Sequence, residues 1–510
     1  MTRAQVVIPM AGTGQRFKDA GYKEIKPLLD VAGRPLISRL IEKFPRDWRF
    51  VFVCNEEHLK TTRLSQVLLA AAPEAEIVAI APHKLGPVHT VREGFRALRD
   101  DLPTFVNYCD FSFSWDPAHF LDFAALTECD GALLCYRGFH PHALSPTLYA
   151  YCREEGGRVK EVREKGHFTP DRSREYASSG TYFFGSGALA RKYFAVAEDS
   201  GPNHKGEYYV SLVYNPMIAD GLDVRVYEIP RFLQWGTPED LEDYLYWHRA
   251  FERLAHEEAP PPSGPRLVMP MAGLGSRFAA GGTPKPLIPV AGRPMFLAAR
   301  ARLPCGPARP VVVLRRELEA DVRAAAGDAE LVVLDAPTSG QAETTLAAAP
   351  ALATYEPVLV SACDHGLLWD RAEWERLIAT GPDVVVVGQR GYPDARRSPN
   401  SYAYIDAAAD GRVRRVSVKV PLSPNPTQDL VLTGTFYFRR ADLMSDLIHD
   451  LKRRDMRVNG ELYLDSVANL CVERGLDVRC FESASYLNWG SPAALGEFRY
   501  WYDHFLGVTP

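Results

Sequence analysis

Short uninterrupted apolar runs recur along the chain, with room for a helix between them. In the first half they are "QVVIPM" (5–10), "FVFVC" (50–54), "EIVAIA" (76–81) and "TFVNYC" (104–109). In the second half they are "RLVMPM" (266–271), "PVVVL" (310–314), "ELVVL" (330–334) and "PVLVSA" (357–362). Runs that are apolar throughout, rather than alternating, predict strands buried on both faces of a mostly parallel sheet. The fold class this predicts is α/β. Toward the end of the first half, "TPEDLEDYLYWHRAFERLAHEE" (237–258) begins with an N-cap threonine, a proline at the first helical position and acidic residues in the first turn. That order predicts a closing helix.

The two sets of strands belong to a longer repeat. "PMAGTGQRF" (9–17) returns as "PMAGLGSRF" (270–278), and "KPLLDVAGRPL" (26–36) as "KPLIPVAGRPM" (285–295). "VNYCDFSFSWD" (106–116) returns as "VSACDHGLLWD" (360–370), "GTYFF" (180–184) as "GTFYF" (434–438), "GEYYVS" (206–211) as "GELYLD" (460–465), and "LQWGTPEDL" (233–241) as "LNWGSPAAL" (487–495). The order never changes, and the period is too long for a solenoid, so each copy is a whole domain. "HEEAPPPSGPR" (256–266) is charged and then proline-rich, which suits a linker. The expected organisation is a first domain over 1–255, a Pro-rich linker over 256–265 and a second domain over 266–510.

Composition narrows the partners. Of 510 residues, 46% are hydrophobic and 24% charged, and the formal net charge is −5. This is an ordinary globular balance with no basic run, which argues against a nucleic-acid partner. Nine scattered cysteines without a C-x-x-C pair suit reduced thiols. The first residues carry too short an apolar run for a signal peptide, and no stretch is long enough to span a bilayer. The expectation is a cytoplasmic protein with no membrane partner; the oligomeric state is left open.

The glycine loop comes directly after the first strand of each copy. Such a turn lets backbone N–H groups approach an anion. A dinucleotide fingerprint would place a third glycine where Phe17 and Phe278 stand, and a Walker loop would end in Gly-Lys-Ser/Thr; neither copy fits. The glycines are succeeded instead by Arg16 or Arg277, and then by Lys26 or Lys285. A forked guanidinium and an ammonium beside Ala11, Gly12 and Gly14, or Ala272, Gly273 and Gly275, would make an electropositive cradle for a triphosphate.

Ala-Gly-x-Gly-x-Arg-Phe with Lys-Pro-Leu downstream resembles the sugar-phosphate nucleotidylyltransferases, and more narrowly those serving bacterial capsule and surface polysaccharides. The resemblance covers nearly all of each half. It implies two tandem Rossmann-like (GT-A-like) domains with mixed central sheets. The reaction it implies joins a nucleoside triphosphate to a phosphorylated sugar or alcohol, releases pyrophosphate and uses Mg²⁺. Because the acceptor phosphate is already an anion, no general base is needed and catalysis is electrostatic and positional. Arg16, Lys26, Arg277 and Lys285 are then the catalytic cations.

Asp110 and Asp364 each sit just past a predicted strand, where open α/β sheets bind ligands, and the resemblance makes each the metal-binding aspartate. Asp116 and Asp370 precede helix-like segments and are expected to cap them. Many relatives have a second metal-binding aspartate where this chain has Gln234 and Asn488. Glu207, Glu461 and Asp465 are candidate replacements, with Asp465 expected as a metal ligand and the two glutamates on the acceptor side. The acceptor would also meet Glu164 and Lys165, and Lys419 in the second copy, beside Gly180 and Gly434. Gln341 resembles the family's base-reading glutamine and favours a pyrimidine; Pro87 holds the matching place, leaving His89 or the backbone to read the base in the first copy. The copies are therefore expected to differ in substrate. The alternatives are one catalytic domain with a regulatory or scaffold partner, a GT-A-type glycosyltransferase, whose usual Asp-x-Asp is missing here, and a non-catalytic binding protein.

Overall fold

The computed structural model describes residues 3–145, 149–200, 203, 206–256 and 261–507. The chain forms two compact units, Met1–Leu245 and Tyr246–Pro510, and the division falls within the helix Pro238–Ala255. The expected linker over 256–265 includes residues 257–260, which lie outside those described.

The first unit is built on a nine-stranded sheet. Four strands run parallel, in the order Glu76–Ile80, Arg49–Asn55, Gln5–Met10, Thr104–Asn107. All four are the apolar runs legible in the sequence. Their alternate residues feed two cores. Val7, Val51, Val53 and Val106 pack on one face; Val6, Ile8, Phe50, Phe52 and Phe105 pack on the other. That is why the runs show no polar alternation. The next strand, Tyr176–Phe184, runs antiparallel to both of its main neighbours, Thr104–Asn107 and Gly131–Tyr136, so the sheet is mixed. The hairpin Tyr151–Glu155/Arg158–Arg163 closes the far edge.

The second unit repeats the plan. Glu330–Leu334, Val311–Arg315, Arg266–Pro270 and Val358–Ser361 are parallel neighbours. Leu430–Phe438 reverses direction against Val358–Ser361 and Val384–Gln389. The hairpin Ala403–Ala407/Val413–Val418 joins through Leu430–Phe438. The fold is therefore α/β with a mixed sheet in each unit.

Each unit also has a two-stranded ribbon. Phe111–Ser114 pairs with Arg231–Gln234, and His365–Leu368 with Ser485–Asn488. The ribbons tie the late Gln234-Trp-Gly and Asn488-Trp-Gly segments to the aspartates: Trp235 N–H donates to Asp110 O (3.0 Å) and Trp489 N–H to Asp364 O (2.8 Å). Helix starts obey the local sequence. Asp116 accepts from the N–H groups of Ala118 and His119, and Asp370 from that of Glu373, so both act as caps. Thr237 accepts from Asp240 N–H at the start of the closing helix. Among the described residues no helix is long and apolar enough to cross a membrane.

Candidate active site

The glycine loop leaves the strand Gln5–Met10 and turns at Gly14, whose φ of 67° is left-handed; Gly275 repeats this at 62°. A side chain is disfavoured there by conformation, and at Gly275 also by space, since an added Cβ would lie 3.1 Å from Lys285 Cβ. The turn thus sets the loop directly over the lysine of each copy.

Beneath it, Lys26 Nζ donates to Asp110 Oδ2 (2.8 Å) and to Gly236 O (2.9 Å). In the second unit Lys285 Nζ donates to Asp364 Oδ2 at 2.5 Å. Both lysines are about four-fifths buried, at 20% and 21% side-chain exposure. Burial works against charge on both partners of the second pair, yet their attraction wins. Desolvation pushes Lys285 down, but the charge and hydrogen bond of Asp364, together with Cys363, leave it raised overall. Asp364 is raised by burial and held well below the usual carboxylate range by Lys285 and His365. The pair is ionised at neutral pH.

Two cavities flank the Lys26–Asp110 pair and share it. One, of about 490 Å³, lies over the glycine loop and is lined by Ala11, Gly12, His83, Lys84, Pro87 and Glu207 among others. The other, of about 410 Å³, is lined by Arg16, Tyr149, Glu164, Lys165, Gly180 and Tyr182 among others. Gly14, Lys26, Tyr108, Asp110 and Tyr209 line both. Gly180 turns at a φ of +92°, and an added Cβ would stand 2.9 Å from Phe111 Cε1, so the strand bends tightly around the residue next to Asp110. Gly434 has the same turn, at +82°. In the second unit a cavity of about 540 Å³ over the loop is lined by Ala272, Gly273, Gly275, Arg277, Lys285, Gln341, Asp364 and Glu461 among others.

The other expected residues divide between the two cavities and the protein around them. Arg16 and Arg277 are exposed and have no ion-pair partner among the described residues. Glu207 and Glu461, expected on the acceptor side, line the cavities over the glycine loops, and Glu207 accepts from Tyr209 OH (2.7 Å). Glu164 is 7% exposed, with Lys165 Nζ 3.4 Å away. Lys419 Nζ donates to Ser401 O (3.3 Å). Asp465, expected as a metal ligand, lies within the field of Lys419 and is not on the wall of the cavity holding Asp364. His89 turns away to Glu198 (2.6 Å); His83, earlier in the same segment, lines the cavity instead.

A divalent cation would find the aspartate of the Lys–Asp pair in each copy, with Glu207 or Glu461 on the wall of the same cavity. Asn488 Oδ1 already accepts from Gly490 N–H (2.8 Å). Among the described residues no three His, Cys, Asp or Glu side chains converge on a metal-sized site. The donor set therefore fits Mg²⁺, which keeps waters and substrate phosphates as most of its shell and needs few protein carboxylates.

One residue of the site, His365, does not stand out in the sequence. It is 1% exposed, its Nε2 lies 2.9 Å from Thr435 Oγ1, and its Nδ1 is 3.7 Å from Asp364 Oδ1. It backs the second aspartate, where the first copy has Phe111. Its signal is the mismatch directly after the aspartate between "CDFS" and "CDHG".

A glycine loop closes on a buried Lys–Asp pair at the carboxyl edge of a mixed sheet, and the arrangement is repeated in each unit. The chain belongs to the family of MobA-like NTP transferase domains, whose model matches residues 6–167 and 268–420, more than half of the chain. Among curated relatives it is similar to the bifunctional protein GlmU of Burkholderia ambifaria, 30% identical over 224 residues that cover 43% of this chain and 46% of that protein. The bifunctional protein GlmU of Herminiimonas arsenicoxydans is 27% identical over 226 residues, covering 43% and 45%. The chain spans about half the length of the curated relatives it matches. Among solved structures, the nucleoside-diphosphate-sugar pyrophosphorylase of Vibrio cholerae is 21% identical, with a TM-score of 0.39, covering 47% of this chain and 99% of that one.

Proposed function

We propose that each unit is a nucleotidyltransferase that joins a nucleoside triphosphate to a phosphorylated sugar or alcohol, supplying activated precursors for a capsule or surface polysaccharide. The observation that carries this reading is the pair of cavities meeting at Lys26 and Asp110: two substrates can approach one cation from opposite sides. The triphosphate lies over the glycine loop, with Arg16 or Arg277 beside it. The acceptor phosphate is held near Lys165 or Lys419. An acceptor phosphate oxygen attacks the α-phosphorus, the bond from that phosphorus to the bridging oxygen breaks, and the electron pair leaves with pyrophosphate. Lys26 and Lys285 offset charge on the phosphates, and the loop N–H groups orient them. A bound Mg²⁺ would add charge neutralisation at the phosphates, held by Asp110 or Asp364. Gln341 supports a pyrimidine in the second unit. In the first, Pro87 offers no side-chain hydrogen bond and His83 presents a ring, so the base preference differs.

The test is pyrophosphate release with Mg²⁺ from a panel of nucleoside triphosphates against phosphorylated sugars and non-sugar polyol phosphates. Release from at least one pair is expected. Folded protein that releases none from any pair overturns the reading.

A further inference from the structure

The two units share one structural clamp. Asn215 accepts from Val162 N–H (2.9 Å) and donates to Val162 O (3.0 Å). Asn469 does the same to Val416, at 2.7 and 2.9 Å. These pairs fix which residues correspond around the strand-end turn. Glu164 matches Val418, Lys165 matches Lys419, and Ser211 matches Asp465. Both lysines sit in the left-handed region, at φ 56° and 62°, a conformation that costs energy for a side-chain-bearing residue and is kept where it places that side chain.

In the first unit Ser211 Oγ donates to Glu164 Oε2 at 2.6 Å, so the strand position and the facing position lie within hydrogen-bond reach. In the second unit the strand position holds Val418, and the facing position, the first residue of the helix Asp465–Glu473, holds the carboxylate. The neighbouring strand changes in the same sense. Ser178 lines the cavity of about 410 Å³ that holds Glu164 and Lys165, whereas its counterpart Leu432 is buried in the apolar core against which Val418 packs. The two strand positions have become apolar, while the facing position at the start of the helix has gained an acid. No side chain among the described residues donates a hydrogen bond to Asp465, and Lys419 supplies the nearby positive charge.

We infer that each unit keeps one carboxylate beside its turn lysine to bind a hydroxyl of the phosphorylated acceptor, and that this carboxylate has changed walls: Glu164 from the strand in the first unit, Asp465 from the helix in the second. This rests on the transferase reading and gives Asp465 a place on the acceptor rather than on the metal. A carboxylate arriving from the opposite wall meets a hydroxyl on the opposite face of the acceptor. The two units therefore select acceptors that differ in the position or configuration of one hydroxyl.

The test uses the full chain carrying Lys26→Ala, so that the second unit is read alone, and a panel of sugar 1-phosphates and polyol phosphates. Asp465→Asn should raise the acceptor KM by about ten- to a hundredfold, the span for losing a hydrogen bond to a charged group. The KM for the triphosphate and the Mg²⁺ concentration for half-maximal rate should not move. The double variant Val418→Glu/Asp465→Ser should shift the order of acceptor preference toward that of the Lys285→Ala chain. An unchanged acceptor KM in Asp465→Asn, or a change confined to Mg²⁺, overturns the inference while leaving the transferase reading intact. Absence of turnover in the unmodified chain overturns the transferase reading itself.

Discussion

At the scale of single residues, the site depends on how closely backbone approaches the aspartates. A Cβ added at Gly490 would stand 2.9 Å from Asp364 Oδ2 and 3.1 Å from Asn488 Oδ1. Gly490→Ala should push Asp364 off Lys285 and lower kcat of the second unit by about a hundredfold, as small misplacements at a reacting centre do, with an unchanged circular dichroism spectrum. At Gly236 the nearest atom is the amide end of Gln234, which can swing away, and Asp110 Oδ2 is 3.3 Å distant. Gly236→Ala should therefore cost the first unit less. Asp465 gives a prediction in pH. Desolvation raises its carboxyl from 3.8 to about 6, so the folded chain binds this proton more tightly than the unfolded chain. Its contribution to stability is complete below 3.8 and is lost as pH rises through about 6. The melting-temperature difference between Asp465→Asn and the unmodified protein should grow across that window in favour of the variant; a flat difference would contradict the assignment. Lys26, Lys285, Asp110 and Asp364 were legible in sequence because the repeat preserves them. His365 and His83 were not, because their counterparts are Phe111 and Pro337 and a pattern recognised by its repetition passes over positions where the copies differ.

Among the elements, the strand-end turn is where geometry and stability pull apart. The clamp asparagines satisfy both backbone groups of one strand residue. Asn215→Ala and Asn469→Ala should each destabilise their own unit by about 1 to 3 kcal/mol, the cost of stranding polar groups, read as a lowered denaturation midpoint. Lys165→Gly and Lys419→Gly relieve a left-handed side-chain-bearing residue. These variants should melt no lower than the unmodified protein yet turn over acceptor poorly; a clear loss of stability would show that the lysines are held for packing rather than for ligand. The parallel strands were readable from sequence because burial on both faces leaves a continuous apolar run. The reversal at Tyr176–Phe184 and Leu430–Phe438 was not, since an apolar run looks the same in either direction and only the hydrogen-bond register distinguishes them.

For the whole molecule, the question is whether one chain runs two reactions. The Lys–Asp pair, the left-handed glycine and the turn lysine are complete in each unit, while Pro87 stands against Gln341, Glu164 against Val418 and Ser211 against Asp465. Lys26→Ala and Lys285→Ala should each abolish one set of substrate pairs and leave the other within about twofold. If either change alone removed all activity, independent sites would be excluded.

The asparagine clamps carry one more consequence. The separation from Val162 to Asn215 and from Val416 to Asn469 is 53 residues in both units. A cassette cut at these two points can be grafted from one unit into the other without changing loop length, and it carries the carboxylate, its facing residue and the turn lysine together. Evolution could exchange this segment by recombination at these joints, and a protein engineer could do the same, without altering the glycine loop; on the proposed function, that would re-target the acceptor alone.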